Sequence, residues 1–268
     1  MNRSAKKIHF TMICMITSLI PLYAMSITVP VNSPSISAAM TQVKKGDTII
    51  VEDGVYKEQI FVNAGVSLIA KNLFKAVIDG KGKGTVVTMG NSSSISGFEI
   101  RNGTIGIFST SAGVSITKCR VLYNNQTGLM CVGHLPKIED NLIVYNKGSG
   151  IQGWDVQSTS ASISHNTIAM NSNHGISIGG NSSVIVENNI ISNNDQFGVK
   201  TSDEKVRVTM VSNNFFQNAK FTGFLPVDNY SIEPKFKNAQ QLQFTLSSDS
   251  RCLSKGSDNQ DLGARLVY

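Results

Sequence analysis

Residues 162–180 read SISHNTIAMNSNHGISIGG. Three short apolar segments, SIS, TIAM and GISI, are separated by His165-Asn166 and by the stretch from Asn171 to His174. None is long enough for a helix, and the alternation within them sends one set of side chains inward, as strands do. A unit this small cannot bury its own apolar face and must stack on copies of itself. The copies are present. Glycine followed by an apolar residue recurs at Gly106, Gly128, Gly150, Gly175, Gly198 and Gly223, in steps of 22, 22, 25, 23 and 25 residues. Four residues before the glycine stand Asn102, Asn124, Asn146, Asn171 and Asn194; the sixth unit has Ala219, with Asn218 beside it. Nine residues before it the column reads Gly97, Cys119, Asn141, Asn166, Asn189, Asn214, and three residues earlier Ser94, Ile116, Ile138, Ile163, Val186, Val211.

Three strands and three corners per repeat make a coil. Coils stacked at about 4.8 Å make three parallel sheets around one apolar core. The expected fold is therefore an all-β parallel solenoid of about eight coils. Asparagine suits its corners in two ways. It tolerates positive φ, and identical amides one strand spacing apart can hydrogen-bond along the stack.

This pattern resembles the right-handed parallel β-helix, or pectin-lyase-like, superfamily over residues 46–226. GDTIIVEDGVYKEQIFVNAGVSLIA (46–70) looks like the first turn of many such proteins, and VIDGKGKGTVVTM (77–89) like the second. The resemblance implies the right hand of the coil. Before the solenoid, residues 27–45 are expected to form an N-terminal cap with a short helix opened by Ser33-Pro34, Pro34 taking its first position. Ile36, Met40 and Val43 would form its apolar face. Residues 227–268 (IEPKF, FTLSSDSRCLSKG and DLGA) resemble the tail that follows the last coil in many β-helix proteins and are expected to pack on the solenoid.

Residues 1–26 have a basic opening (Arg3, Lys6, Lys7), an apolar run from Ile8 to Leu22, and Ala24 and Ser26 in an A-x-S pattern. That is the composition of a secretory signal peptide. The expected location is secreted or periplasmic, with no membrane span after cleavage. The first 26 residues hold three of the 24 basic residues and none of the 18 acidic ones, so the remainder carries +3 rather than +6. With that reduction and no nucleic-acid motif, nucleic acid is not an expected partner. The remaining cysteines, Cys119, Cys131 and Cys252, are odd in number and show no Cys-x-x-Cys or zinc spacing. A core of this size needs no disulfide staples, so buried free thiols are expected.

In the resembled superfamily the strand after each glycine floors the carbohydrate groove. If Ile107, Leu129, Ile151, Ile176 and Val199 point inward, the outward column is Phe108, Met130, Gln152, Ser177, Lys200, and two residues further on Thr110, Val132, Trp154, Gly179, Ser202. Gln152, Trp154, Asp155 and Ser177 are the candidate substrate-binding residues. An exposed indole can stack on a sugar ring. Lys200 and His174 are the candidate catalytic residues. HGISIG followed by FGVK (197–200) is similar to polygalacturonase motifs, in which a histidine precedes such a strand and a lysine lies one coil later. However, Gly148-Ser149-Gly150 stands where those enzymes carry paired aspartates, and Asn-Thr-Asp does not occur. The slot of His174 also holds Ile105, Thr127, Ser149, Phe197 and Thr222, which fits a corner position better than a catalyst. Glycoside hydrolysis needs two carboxylates flanking the bond. β-Elimination from a uronate needs a base and a cation, and Lys200 is the candidate base. No motif supports calcium: Asp155 and Asp203 share a column but lie two coils apart, about 9–10 Å by strand spacing. No metal site is expected. GVYKE is similar to pectin methylesterases, but none of their acid-bearing motifs follows.

The leading expectation is an exported, monomeric β-helix protein that engages polysaccharide along the Gln152–Trp154–Ser177–Lys200 face. One alternative is a polysaccharide lyase or glycoside hydrolase acting on uronic-acid-containing glycans. Another is a non-catalytic structural envelope or surface protein.

Overall fold

The computed structural model describes residues 24–158, 161–220 and 225–266. They form a parallel β-solenoid of three sheets, with nine, eight and seven strands among the described residues. The register repeats once per turn: Ile95, Ile116, Ile138, Ile163, Val186 and Met210 stand side by side in the nine-stranded sheet. In the seven-stranded sheet the inward row is Ile60, Val87, Ile107, Leu129, Ile151, Ile176, Val199, buried from Ile60 to Ile176. Branched aliphatic side chains dominate these rows because they pack well on a pleated surface and are stiff there.

The coil has about nine turns, one more than expected, because an additional strand precedes the first expected turn. Ser26–Val29 pairs in parallel with Thr48–Val51. The Lys44 N–H, donated to Asp47 Oδ2 at 2.9 Å, and then the Met25 N–H, donated to Oδ1 at 2.7 Å, hold that carboxyl below the usual range. The signal segment expected over 1–26 lies outside the described residues up to 23, and its last two residues belong to this first turn.

The expected helix is Ile36–Met40, and its start differs from the expectation. Ser35, not Pro34, marks the boundary: it is extended and its hydroxyl accepts from Ala38 N at 3.1 Å. Pro34 therefore precedes the cap. Ile36, Ala39 and Met40 are buried with Val43 packed beside them, so the helix closes the end of the core.

Two asparagine ladders run along the solenoid. One passes through Asn124, Asn146, Asn171, Asn194 and Asn218. The other passes through Asn141, Asn166, Asn189, Asn213 and Asn229. In each step the Oδ1 of one amide accepts both the backbone N–H and the side-chain Nδ2 of its predecessor, at 2.8–3.2 Å. The structure corrects three assignments made from spacing. The last unit is displaced by one residue, so Asn213 and Asn218 take the places given to Asn214 and Ala219, and Gly223 lies outside the described residues. Asn102 does not join a ladder; Gly103 N bonds Asn124 Oδ1 instead, and Asn102 donates to Asp79. The positive φ falls not on the ladder asparagine but on the residue before it: Tyr145 at 56°, His165 at 51°, Met170 at 56°, Asn188 at 57°. Bulky residues are held in that sparsely populated region because the buried amide that follows has four or five fixed partners.

The chain after the last coil covers the outward face of the eight-stranded sheet. Phe244 and Leu266 pack with Leu122, Leu142, Val144 and Ala169. Tyr145 Oη donates to Ala239 O at 3.1 Å, and Arg265 bonds both Asp140 oxygens at 2.8 Å. His165 Nε2 lies 2.9 Å from Asp258 Oδ2. The outward face of the seven-stranded sheet is left to solvent along Phe61 and Trp154, both 56% exposed.

Cys119, Cys131 and Cys252 are buried and unpaired. Burial pushes the Cys119 and Cys131 thiols up to about 12, so thiolate, the reactive form, is scarce at neutral pH.

Candidate functional site

On the seven-stranded sheet the outward row is Phe61, Thr88, Phe108, Met130, Gln152, Ser177, Lys200, in register across successive turns. Its first half is largely apolar and its second half polar. Thr127 Oγ1 donates to Gln152 Oε1 at 3.0 Å, which fixes the amide at the junction.

The strand Ile151–Val156 is irregular. It pairs with the next turn through Gly153 to Ile178, then resumes at Val156 to Gly180, so Trp154 and Asp155 face a single residue, Gly179. This is a β-bulge, and Asp155 bends it with φ 46°. The bulge breaks the expected second column: Trp154 keeps Val132 as its partner on one side but has no paired partner on the other. Two glycines make room. A Cβ on Gly180 would lie 2.3 Å from Val156 N, and one on Gly179 would lie 2.8 Å from Asp203 Oδ2. Without side chains there, Asp203 reaches in and accepts the Gly180 N–H at 2.6 Å.

The result is an open cleft of about 430 Å³. All six candidates line it: Gln152, Trp154, Asp155, His174, Ser177 and Lys200. Asp203, Ser202 and Asn173 line it too. Asn173 carried no signal of its own in the sequence, standing in the variable turn between the ladder position Asn171 and the strand. Trp154 stands out into solvent rather than under the loop that follows it.

His174 stacks on Phe197, which fills the same slot one turn on, with ring centroids 5.7 Å apart. Its Nδ1 accepts the Phe197 N–H at 3.2 Å, which places the ring proton on Nε2. Burial, with Lys200 and then Lys220 nearby, holds its pKa below the ordinary histidine value. His174 is thus a neutral hydrogen-bond donor at neutral pH. Both lysines flank the Phe197 ring, with Nζ 5.9 Å and 5.8 Å from its centroid.

In the turn before His174 the equivalent corner carries no carboxylate; Ser149 stands there, buried between two glycines. Asp155 and Asp203 come from turns two apart, Asp155 accepting from Gln157 Nε2 at 2.7 Å and Asp203 from Gly180. Calcium takes six to eight oxygen ligands. Among the described residues no three His, Cys, Asp or Glu side chains are placed to hold one metal ion. Two carboxylates from turns two apart fall short of that number.

Residues 84–240 match the family of the right handed beta helix region, and the chain belongs to that family. Among solved structures it is similar to the pectate lyase Pel9A, at 13% identity and a TM-score of 0.50, over 90% of this chain and 96% of that one. It also matches the pectin methylesterase of Aspergillus niger in deglycosylated form, at 11% identity and a TM-score of 0.38, over 80% of this chain and 91% of that one. No curated protein matches the chain. The fold is a pectin-lyase-like right-handed β-helix. Among the described residues no helix is long and apolar enough to cross a membrane.

Proposed function

We propose that this is an exported, monomeric protein that binds polysaccharide along the seven-stranded sheet, in the cleft under Trp154. The observation that carries this is an indole 56% exposed on a bulge above a cleft lined by Gln152, Asp155, Ser177 and Lys200. A flat apolar ring beside a row of hydrogen-bonding groups suits a sugar, which has an apolar face and a polar edge. A similar fold serves a pectate lyase, Pel9A. The basic and apolar segment before the first turn supplies the export signal, and the protein acts outside the cytoplasm. The test is binding to a panel of uronans and neutral glycans. Trp154→Ala is expected to weaken the best ligand about 2- to 10-fold with unchanged melting, since an aromatic contact contributes about 0.5–1.5 kcal/mol. Equal affinity in the two proteins would remove the indole from the site.

A second proposal, turnover of a uronic-acid-containing chain by elimination, is favoured by one observation: His174 and Lys200 line the same cleft. Nε2 of His174 would donate to substrate, and Lys200 is the only other nitrogen base lining the cleft among the described residues. Unsaturated-product absorbance that vanishes in Lys200→Ala supports it, and its absence with every uronan leaves binding alone.

A further inference from the structure

Where the seven-stranded sheet turns into the nine-stranded one, a second depression of about 390 Å³ is walled by Ser158, Asn181, Ser182, Ser183, Lys205 and Arg207. It shares no residue with the cleft but continues it along the chain. Gly179 and Asp203 line the cleft, and Asn181 and Lys205, two residues further on in adjacent turns, line the corner. Backbone bonds fix its frame: Arg207 N donates to Ser182 O at 2.8 Å and Ser183 N to Ser158 O at 3.0 Å.

Its polar groups are short of partners. Lys205 makes no ion pair among the described residues, and the Arg207 guanidinium has one bond, from Nη1 to the neutral Glu204 carbonyl at 2.7 Å. No carboxylate lines the depression. Of the nearest two in sequence, Asp203 is engaged by Gly180, and Glu204 pairs with neither cation. Ser158 Oγ accepts from Leu135 N at 3.3 Å and keeps its own proton to donate. Ser183 and Arg207 are paired across adjacent turns and both exposed, so their side chains stand on the same outward wall. Two cations, the Ser158 and Ser183 hydroxyls and no competing anion suit an oxyanion.

We infer that this corner binds an oxyanion, and that it holds the carboxylate or sulfate of an acidic glycan as the chain leaves the cleft. The glycan part rests on the polysaccharide proposal, whereas the anion chemistry stands on the corner's own residues. The occupant is therefore an acidic saccharide whose neutral part lies against Trp154.

The experiment is calorimetric titration of the full chain with three probes: sodium sulfate, an oligogalacturonate and a neutral oligosaccharide of similar length, at low and high salt. The oligogalacturonate is expected to bind more tightly than the neutral probe, and less tightly as salt rises. Lys205→Gln combined with Arg207→Gln should lower its affinity about tenfold and remove the salt dependence, leaving the neutral probe unchanged. Ser183→Ala, which removes one hydroxyl from the exposed wall beside Arg207, should lower it about threefold with unchanged melting. Oligogalacturonate binding equal in wild type and in the double variant would overturn the inference while leaving the polysaccharide proposal standing. Sulfate bound by wild type but not by the double variant, with neither saccharide bound, would confirm the anion site and refute the polysaccharide proposal. Failure of all three probes to bind would overturn both.

Discussion

Replacing Asn166 by alanine is expected to lower stability by about 3 kcal/mol or more, well beyond the usual effect of truncating a surface polar side chain. Asn166 is fully buried. Its Oδ1 accepts from Asn141 N at 2.9 Å and Asn141 Nδ2 at 3.0 Å, and its Nδ2 donates to Ile138 O, Ser164 O and Asn189 Oδ1 at 2.9–3.1 Å. Truncation leaves five groups short of a partner in a place water does not reach. Each orphaned group costs about 1–3 kcal/mol before relaxation, and partial repacking recovers some of the total. Asn125→Ala is the control. Asn125 is exposed and makes one side-chain bond, to Gly82 O at 3.1 Å, so its loss should cost less than about 1 kcal/mol. Denaturant midpoints of the two variants decide the matter, and similar values would mean that the ladder is ornamental.

Gly175→Ala is expected to cost about 1–3 kcal/mol and to weaken ligand binding along with it. This glycine is not needed for positive φ. A Cβ there would lie 2.6 Å from Gly198 O, 2.7 Å from Ile191 Cγ2 and 3.0 Å from Asn194 Nδ2. Two of those neighbours, the carbonyl and the ladder amide, are fixed by the next turn and cannot move aside cheaply. The same collision recurs at Gly128 and Gly150, against Gly150 O and Gly175 O respectively, both at 2.8 Å. The glycine column therefore exists because each turn's backbone and corner amide lie against the one before. Gly175 stands between His174 and the strand bearing Ser177, so a shift there displaces cleft residues. Melting temperature and affinity should fall together; a variant that melts like wild type would contradict the close approach.

That origin of the glycine column explains why the fold was legible. Every turn presents the same corner to its neighbours, so the same small residue and the same amide recur, and the period can be read without knowing any contact. The outward row ending in Gln152, Ser177 and Lys200 follows from the same register. What stayed hidden depends on departures from the repeat. The 25-residue step from Gly150 to Gly175 announces extra residues but not that they bulge at Trp154 and Asp155. Anchoring the last unit on Gly223 displaced Asn213 by one place. Asparagine's tolerance of positive φ suggested the wrong corner residue, because the ladder amide is chosen for its hydrogen bonds and the strain falls on its predecessor. His165 meets Asp258 across 93 residues, and Arg265 meets Asp140 across 125. Such pairings depend on the path of the tail, which no repeat encodes.

Trp154 is the only tryptophan in the chain, so tryptophan emission, excited beyond the tyrosine absorption band, reports on the cleft alone. The decisive measurement is emission during titration of the full chain with uronan and neutral oligosaccharides, alongside calorimetry on the same samples. If saccharide stacks on the exposed indole, emission shifts to shorter wavelength and saturates with the same midpoint as the heat of binding. Saccharide binding by calorimetry with an unchanged emission spectrum, or no binding by any glycan in the panel, would contradict the account.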